Sequence, residues 1–150
     1  MLTDKLKSLG IELPAVSGPF GAYVPAKRAG NFLFVAGQLP MKDGKLLATG
    51  PVPSRCSVEA AKLAARQCVI NALGAIKAIE GSIDKLTGCL RVGAFVNSDS
   101  SFTQQPQVAN GASELLLDLF GEGGKHVRAA VGVNTLPLDA SVEVEFIFLT

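Results

Sequence analysis

Apolar positions change period several times along the chain, and each change marks an element. Asn31-Phe-Leu-Phe-Val-Ala36 is nearly continuous in apolar residues, the pattern of a central strand covered on both faces. Gly37-Gln-Leu-Pro40 ends it. Asp43-Gly44 signals a turn inside a loop or edge ribbon over residues 41–53. Over about residues 55–79 the period becomes helical, with Ala60, Ala61, Leu63, Ala64, Cys68, Ala72, Leu73, Ile76 and Ile79 on one stripe. Gly81 stops this helix, and its many alanines predict close packing against a sheet. Leu86 to Val96 reads as the next strand, ended by Asn97-Ser-Asp99. Ser101-x-x-Gln104 has the spacing of a capping box and Pro106 suits a first turn, so a second helix runs from there to Phe120 and stops at Gly121. Upstream, residues 1–10 predict a short helix ended by Gly10. Leu13 to Pro25 is an extended, Pro- and Gly-punctuated approach to a strand.

From His126 onward the period is two. Val127, Ala129, Val131 and Val133 share one face, and His126, Arg128, Ala130, Gly132 and Asn134 the other. Beyond a turn at Leu136-Pro137, Val142, Val144, Phe146 and Phe148 alternate with Ser141, Glu143 and Glu145. The two runs read as a C-terminal hairpin. A lone arginine among small residues leaves room above the sheet, where a guanidinium can grip a carboxylate or phosphate through two parallel hydrogen bonds. Glu143 and Glu145 would offer acceptors nearby. The plainer reading is a solvated outer face with weak cross-strand pairs. Ala130 and Gly132 weigh against it, because an open strand gains nothing from lacking side chains.

Strand, strand, helix, strand, helix, strand, strand predicts one α+β domain over residues 1–150. Its mixed sheet carries two helices on one face, with Arg128 and the glutamates on the other. The face without helices needs water or another subunit. A length of 150 residues suits a single core. An apolar share of 48% against 18% charged residues suggests that some apolar surface is buried between subunits. A formal net charge of +1 argues against a nucleic-acid partner, whose affinity would come from neutralising phosphates.

The remaining chemistry is sparse. Cys56, Cys68 and Cys89 are odd in number and form no C-x-x-C, which indicates neither a disulfide framework nor a zinc site and fits a reducing, cytoplasmic compartment. The N-terminus has no apolar signal region, and no run approaches the roughly 20 apolar residues a membrane span needs. His126 is the single histidine. With no G-x-S-x-G and no clustered acids, it reads as structural or at a rim, and no metal site is expected. No Walker A or G-x-G-x-x-G run indicates a nucleotide cofactor. Asn110-Gly111 interrupts the second helix, where Gly costs roughly 1 kcal/mol relative to Ala. Close helix–sheet packing would explain the Gly, and a polar contact into a neighbouring cleft the Asn.

Taken together, several of these segments resemble the RidA/YjgF family, with its chorismate-mutase-like fold. They are Gly37-Gln-Leu-Pro40, the Ala-rich helix, Phe95-Val-Asn97, Phe102, Arg128 eight residues before Leu136-Pro137, and Val142-Glu-Val-Glu145. Asn110-Gly-Ala-Ser-Glu114 with Phe120-Gly121 is similar to a subgroup often labelled endoribonuclease-like. The resemblance implies a homotrimer with an inner β-barrel, helices outside and three clefts at the subunit interfaces. It implies hydrolytic deamination of 2-imino or enamino acids, released by dehydratases that use pyridoxal phosphate, to 2-oxoacids and ammonia. Arg128 would hold the substrate carboxylate and Glu143 a water near the imine carbon. Tyr23 and the backbone around Gly37 would shape the cleft. Asn110, read from its own place in the second helix, is a further candidate substrate contact. No cofactor or metal is implied. Three departures from the family pattern imply a different cleft wall: Ala130 where a Cys is usual, His126 where a Pro is frequent, and extra residues in Gly18-Pro-Phe-Gly-Ala-Tyr23. The alternative is a non-catalytic trimer that binds a small carboxylate metabolite. RNA cleavage or translation inhibition is disfavoured by the near-neutral charge and the absence of a histidine pair.

Overall fold

A computed structural model describes residues 1–18 and 20–150; Pro19, within the Gly18–Tyr23 stretch singled out above, lies outside the described residues. Three helices form, α1 (Leu2–Ser8), α2 (Val58–Glu80) and α3 (Gln105–Phe120). The strands are β1 (Ala26–Ala29), β2 (Phe32–Gln38), β3 (Met41–Lys42), β4 (Lys45–Leu46), β5 (Gly88–Asn97), β6 (Val127–Val133) and β7 (Val142–Leu149). Five of them make one mixed sheet in the order β1-β2-β7-β5-β6, and β3-β4 is a separate hairpin. At its turn Asp43 and Gly44 both take positive φ, 51° and 79°, as a tight two-residue hairpin requires.

Helix α2 begins where the Ser57 hydroxyl accepts from the Ala60 N–H at 3.1 Å, and it ends at Gly81 in the left-handed region. Ala61, Ala64, Ala65 and Ala72 are fully buried, so α2 approaches its neighbours closely. Helices α2 and α3 lie side by side over one sheet face, above Val92, Val144, Phe146 and Phe148. The reason for Gly111 differs from the expected one. A Cβ there would run into the Lys62 carbonyl of α2, so the close approach is helix to helix rather than helix to sheet. The capping box is also absent. Helix α3 starts at Gln105 without a side-chain cap, and the Gln105 amide turns back to the Phe102 carbonyl at 2.8 Å. The Phe102 N–H is already committed to the Asp99 carbonyl at 3.0 Å, which keeps Ser101 in the turn before the helix.

The C-terminal strands do not form a hairpin. β6 runs parallel to β5, and β7 pairs with the other side of β5, antiparallel to it. A parallel pair needs a crossover of a dozen or more residues, which α3 supplies between β5 and β6. The segment 134–141 then crosses the end of β5 and is fastened there. Asn97 donates to the Ala140 carbonyl at 3.2 Å, and the Ser141 hydroxyl to the Gly50 carbonyl at 2.7 Å.

This pairing reverses the expected phase of β6. Arg128 sits opposite the fully buried Val92 and Ala130 opposite Ala94, so His126, Arg128, Ala130 and Gly132 face the helices. Glu143 and Glu145 sit opposite Phe95 and Gly93 on the uncovered face. The two sets were expected together and lie on opposite faces. The cause is the valine face of β6. It joins Phe34, Phe95 and Ile147 on the side without helices, where Phe34, Val131 and Val127 remain 47%, 44% and 65% exposed in one chain. The Arg91–Glu145 pair, at 2.8 Å, sits within this apolar surface. No helix among the described residues is long and apolar enough to cross a membrane.

Candidate functional site

Residues with useful chemistry gather in two places. The first is the outer edge of the sheet, where β6 meets α3. Asn110 and Ser113 are three residues apart, hence on one helical face. Both turn to Arg128, whose Nη1 donates to Asn110 Oδ1 at 2.8 Å and to Ser113 Oγ at 3.0 Å. Ser113 Oγ also lies 2.8 Å from His126 Nε2, while His126 Nδ1 lies 2.6 Å from the Gly124 carbonyl oxygen. The Gln105 amide lies over Gly132 nearby, in the space a Cβ there would press into. Among the described residues no carboxylate lies within ion-pair distance of Arg128. Its Nε and Nη2 have no protein partner among them either. The guanidinium is therefore an exposed, unneutralised cation held at one corner by neutral acceptors. The Nε–Nη2 edge left over is the one that fits a carboxylate bidentately.

The second place is the bulge of β2. The β2–β7 register shifts between Val35 and Gln38, which puts Gly37 against the side chain of Glu143. A Cβ at Gly37 would displace that carboxylate, so the glycine lets it lie against the β2 backbone in this position. Burial, and then the neighbouring Glu145 charge, push the Glu143 carboxyl above its ordinary range. Gly37 and Tyr23 line one open groove of about 910 Å³, walled by the segment from Gly10 to Val16 and by α2.

Sequence reasoning missed the α2 side of this groove. Asn71 donates to the Leu39 and Met41 carbonyls at 3.0 and 2.9 Å, and Gln67 donates to Asn71 at 2.9 Å. These bonds pin the loop that follows Gly37. The readable signal was two amides, four residues apart, inside an otherwise apolar stripe. Arg66 adds a cation to the same wall. The cysteines take no part in chemistry here. All three are free and buried; burial raises the Cys68 thiol strongly and the Cys89 thiol to about 12, which keeps both un-ionised.

Within one chain the two places do not meet. Strand β5 lies between β6 and β7, and Arg128 and Glu143 are offset by the three residues from Val92 to Phe95. Strand spacings then put their Cα atoms roughly 14 Å apart, with side chains on opposite faces. A cleft using both needs two copies of the chain.

The comparisons with known proteins fit this architecture. A family model described as "YjgF/chorismate_mutase-like, putative endoribonuclease" matches residues 3–149. Protein TCP17 of Trypanosoma cruzi is 43% identical over 93% of this chain and 88% of its own length. A RutC family protein of Pyrococcus horikoshii is 33% identical over 86% of this chain and 87% of its own. A crystal structure of the Agrobacterium tumefaciens protein Atu1372, of unknown function, superposes with a TM-score of 0.89 at 41% identity, covering 99% of this chain and 91% of that one. A "putative endoribonuclease" from Shewanella oneidensis superposes at 0.92 with 30% identity, covering 100% and 99%. The YjgF gene product of E. coli shares the fold at 0.61 and 23% identity, over 91% and 92%. The chain belongs to the YjgF/chorismate mutase-like family and has its fold.

Proposed function

We propose that this protein hydrolyses 2-imino and enamino acids to 2-oxoacids and ammonia, at clefts formed between copies of the chain in a homotrimer. The observation that carries the proposal is the Arg128 guanidinium, held in place and with no counter-charge among the described residues. Its free edge takes the substrate carboxylate and so fixes the imine carbon. Glu143 of an adjacent copy, admitted by Gly37, accepts a proton as water adds to that carbon. The resulting carbinolamine loses ammonia as its C–N bond breaks, the nitrogen taking up a proton, and the 2-oxoacid remains. The protonated imine is electrophilic by itself, so positioning supplies most of the catalysis and no cofactor enters. Self-association buries the uncovered apolar face, and the buried free thiols suit a cytoplasmic setting.

A coupled assay tests the reading. An amino-acid dehydratase generates the 2-iminoacid in the presence of semicarbazide, and the wild-type protein is expected to suppress semicarbazone formation. No suppression across several iminoacids would leave the second reading, a carboxylate-binding trimer without turnover. That reading is favoured by the fact that the Arg128 half of the site is complete in one chain while the base is elsewhere.

Glu143 supplies a separate expectation. A carboxyl raised above its unfolded value prefers the protonated form in the fold. Its contribution to stability is therefore full below the ordinary glutamate range and lost as pH rises through the raised value. Glu143→Gln should be more stable than wild type at pH 7, equal to it near pH 4, and inactive as a deaminase. Thermal midpoints across that range check the sign; a variant less stable at pH 7 would contradict it.

A further inference from the structure

Behind Arg128 lies a chain of polar groups that the proposed reaction does not use, and every link in it has a direction. The Gly124 carbonyl can only accept, so His126 Nδ1, 2.6 Å away, carries the hydrogen of the neutral ring. Nε2 then presents a lone pair to Ser113 Oγ at 2.8 Å, and the serine hydroxyl donates to it. With its proton committed there, Ser113 meets Arg128 Nη1 as an acceptor, at 3.0 Å. Asn110 Oδ1, at 2.8 Å, accepts from the same nitrogen. Three successive hydrogen bonds thus point the same way, from the guanidinium through Ser113 and His126 to the Gly124 carbonyl. That backbone packs closely against α3, since a Cβ at Gly124 would strike the Leu116 carbonyl.

A free arginine side chain surrenders considerable rotamer freedom when it grips an anion. Here that cost is met before any ligand arrives. If the serine hydroxyl were free to rotate, it would present its proton to Arg128 in part of its orientations and repel it. The histidine removes those orientations. We infer that Ser113 and His126 are positioning residues of the Arg128 carboxylate clamp: His126 fixes the hydroxyl of Ser113, and Ser113 fixes the guanidinium corner so that the Nε–Nη2 edge faces the ligand. The assignment rests on the reading of Arg128 as the carboxylate site and extends it to the helix behind. It gives the single histidine of the chain a role in affinity without placing it in the chemistry.

The experiment is a calorimetric titration of 2-oxobutyrate, a simple 2-oxoacid, into wild type, Arg128→Ala, Ser113→Ala, His126→Asn and His126→Gln. Asparagine places its amide N–H where Nδ1 was, and so keeps the bond to Gly124 but cannot reach Ser113. Glutamine places its amide end where Nε2 was and keeps Ser113 aligned. Ser113→Ala, which removes one bond to a charged group, and His126→Asn, which frees the serine hydroxyl to turn away from its accepting role, are each expected to weaken binding by about tenfold, while His126→Gln recovers to within about threefold. In turnover the same variants raise KM and leave kcat nearly unchanged, as lost positioning of a bound group requires. Circular dichroism on each variant establishes that it is folded. Ser113→Ala, which removes one oxygen, serves if a histidine variant does not fold. Binding that depends on Arg128 but is the same in wild type, Ser113→Ala and His126→Asn overturns this inference alone. Binding that is absent from wild type, or unaffected by Arg128→Ala, overturns the clamp itself and this inference with it.

Discussion

Arg128→Ala will lower kcat/KM for 2-iminoacid hydrolysis by about 100- to 1,000-fold and leave the fold intact. A bidentate bond between charged partners contributes about 3–4 kcal/mol where water is partly excluded, and each 1.4 kcal/mol is tenfold. The fold should not respond, because Arg128 is exposed and its only protein partners among the described residues are the neutral side chains of Asn110 and Ser113. Neither is left as a buried charge when the guanidinium goes. Arg128→Lys separates charge from geometry. Its ammonium restores a point charge but not the two parallel donors, so it should fall between wild type and alanine. The semicarbazide-coupled assay, with thermal midpoints on the same preparations, checks both halves. A folded Arg128→Ala variant with wild-type kcat/KM would remove Arg128 from the reaction.

The second large effect is on stability. Gly111→Ala should destabilise the protein by about 2–4 kcal/mol, a fall in thermal midpoint of roughly 5–15 °C. Its sign makes this a sharp test. Helix propensity alone predicts the opposite, since alanine in a helix interior is worth about 1 kcal/mol over glycine. The steric argument prevails because the added methyl would meet a backbone carbonyl of α2, at Lys62, which cannot rotate away as a side chain could. The helices must separate, and their shared core includes Ala61, Ala65, Val108 and Ala112, all fully buried. The strain also reaches the site, since Asn110 is the preceding residue and holds Arg128. Loss of 2-oxoacid affinity should therefore accompany loss of stability. A stabilised Gly111→Ala variant would mean that α2 and α3 pack less tightly than described.

The sequence made most elements legible because their periods are strong and their ends are marked by Gly81 and Gly121, whereas the Ser57 cap of α2 emerged only from the structure. It also supplied Arg128 and Asn110 from the residue pattern, and Glu143, Tyr23 and Gly37 through a resemblance that the family match upholds at the level of the family. The partnership of β6 was not legible. A period of two says which residues share a face, and nothing about which strand lies alongside or which face is covered. Valines on β6 suggested a core-facing side, yet they belong to a surface that becomes interior only if copies associate. The same ambiguity put Arg128 beside the glutamates. Ser113 and His126 escaped notice as a pair because 13 residues and a turn separate them. Gln67 and Asn71 were visible as polar interruptions of α2, but only the fold shows that they pin the loop after Gly37.

The central claim is that the working cleft takes Arg128 from one copy and Glu143 from another, since one chain holds them on opposite faces of its sheet. Mixing two inactive variants tests it directly. Arg128→Ala and Glu143→Gln are co-refolded at equal amounts and assayed for 2-iminoacid hydrolysis. In a randomly mixed trimer each interface receives an intact arginine half the time and an intact glutamate half the time, independently. The account predicts activity near about a quarter of wild type from two preparations that are each inactive alone. A mixture as inactive as its components, with mixed oligomers shown to have formed, would contradict it.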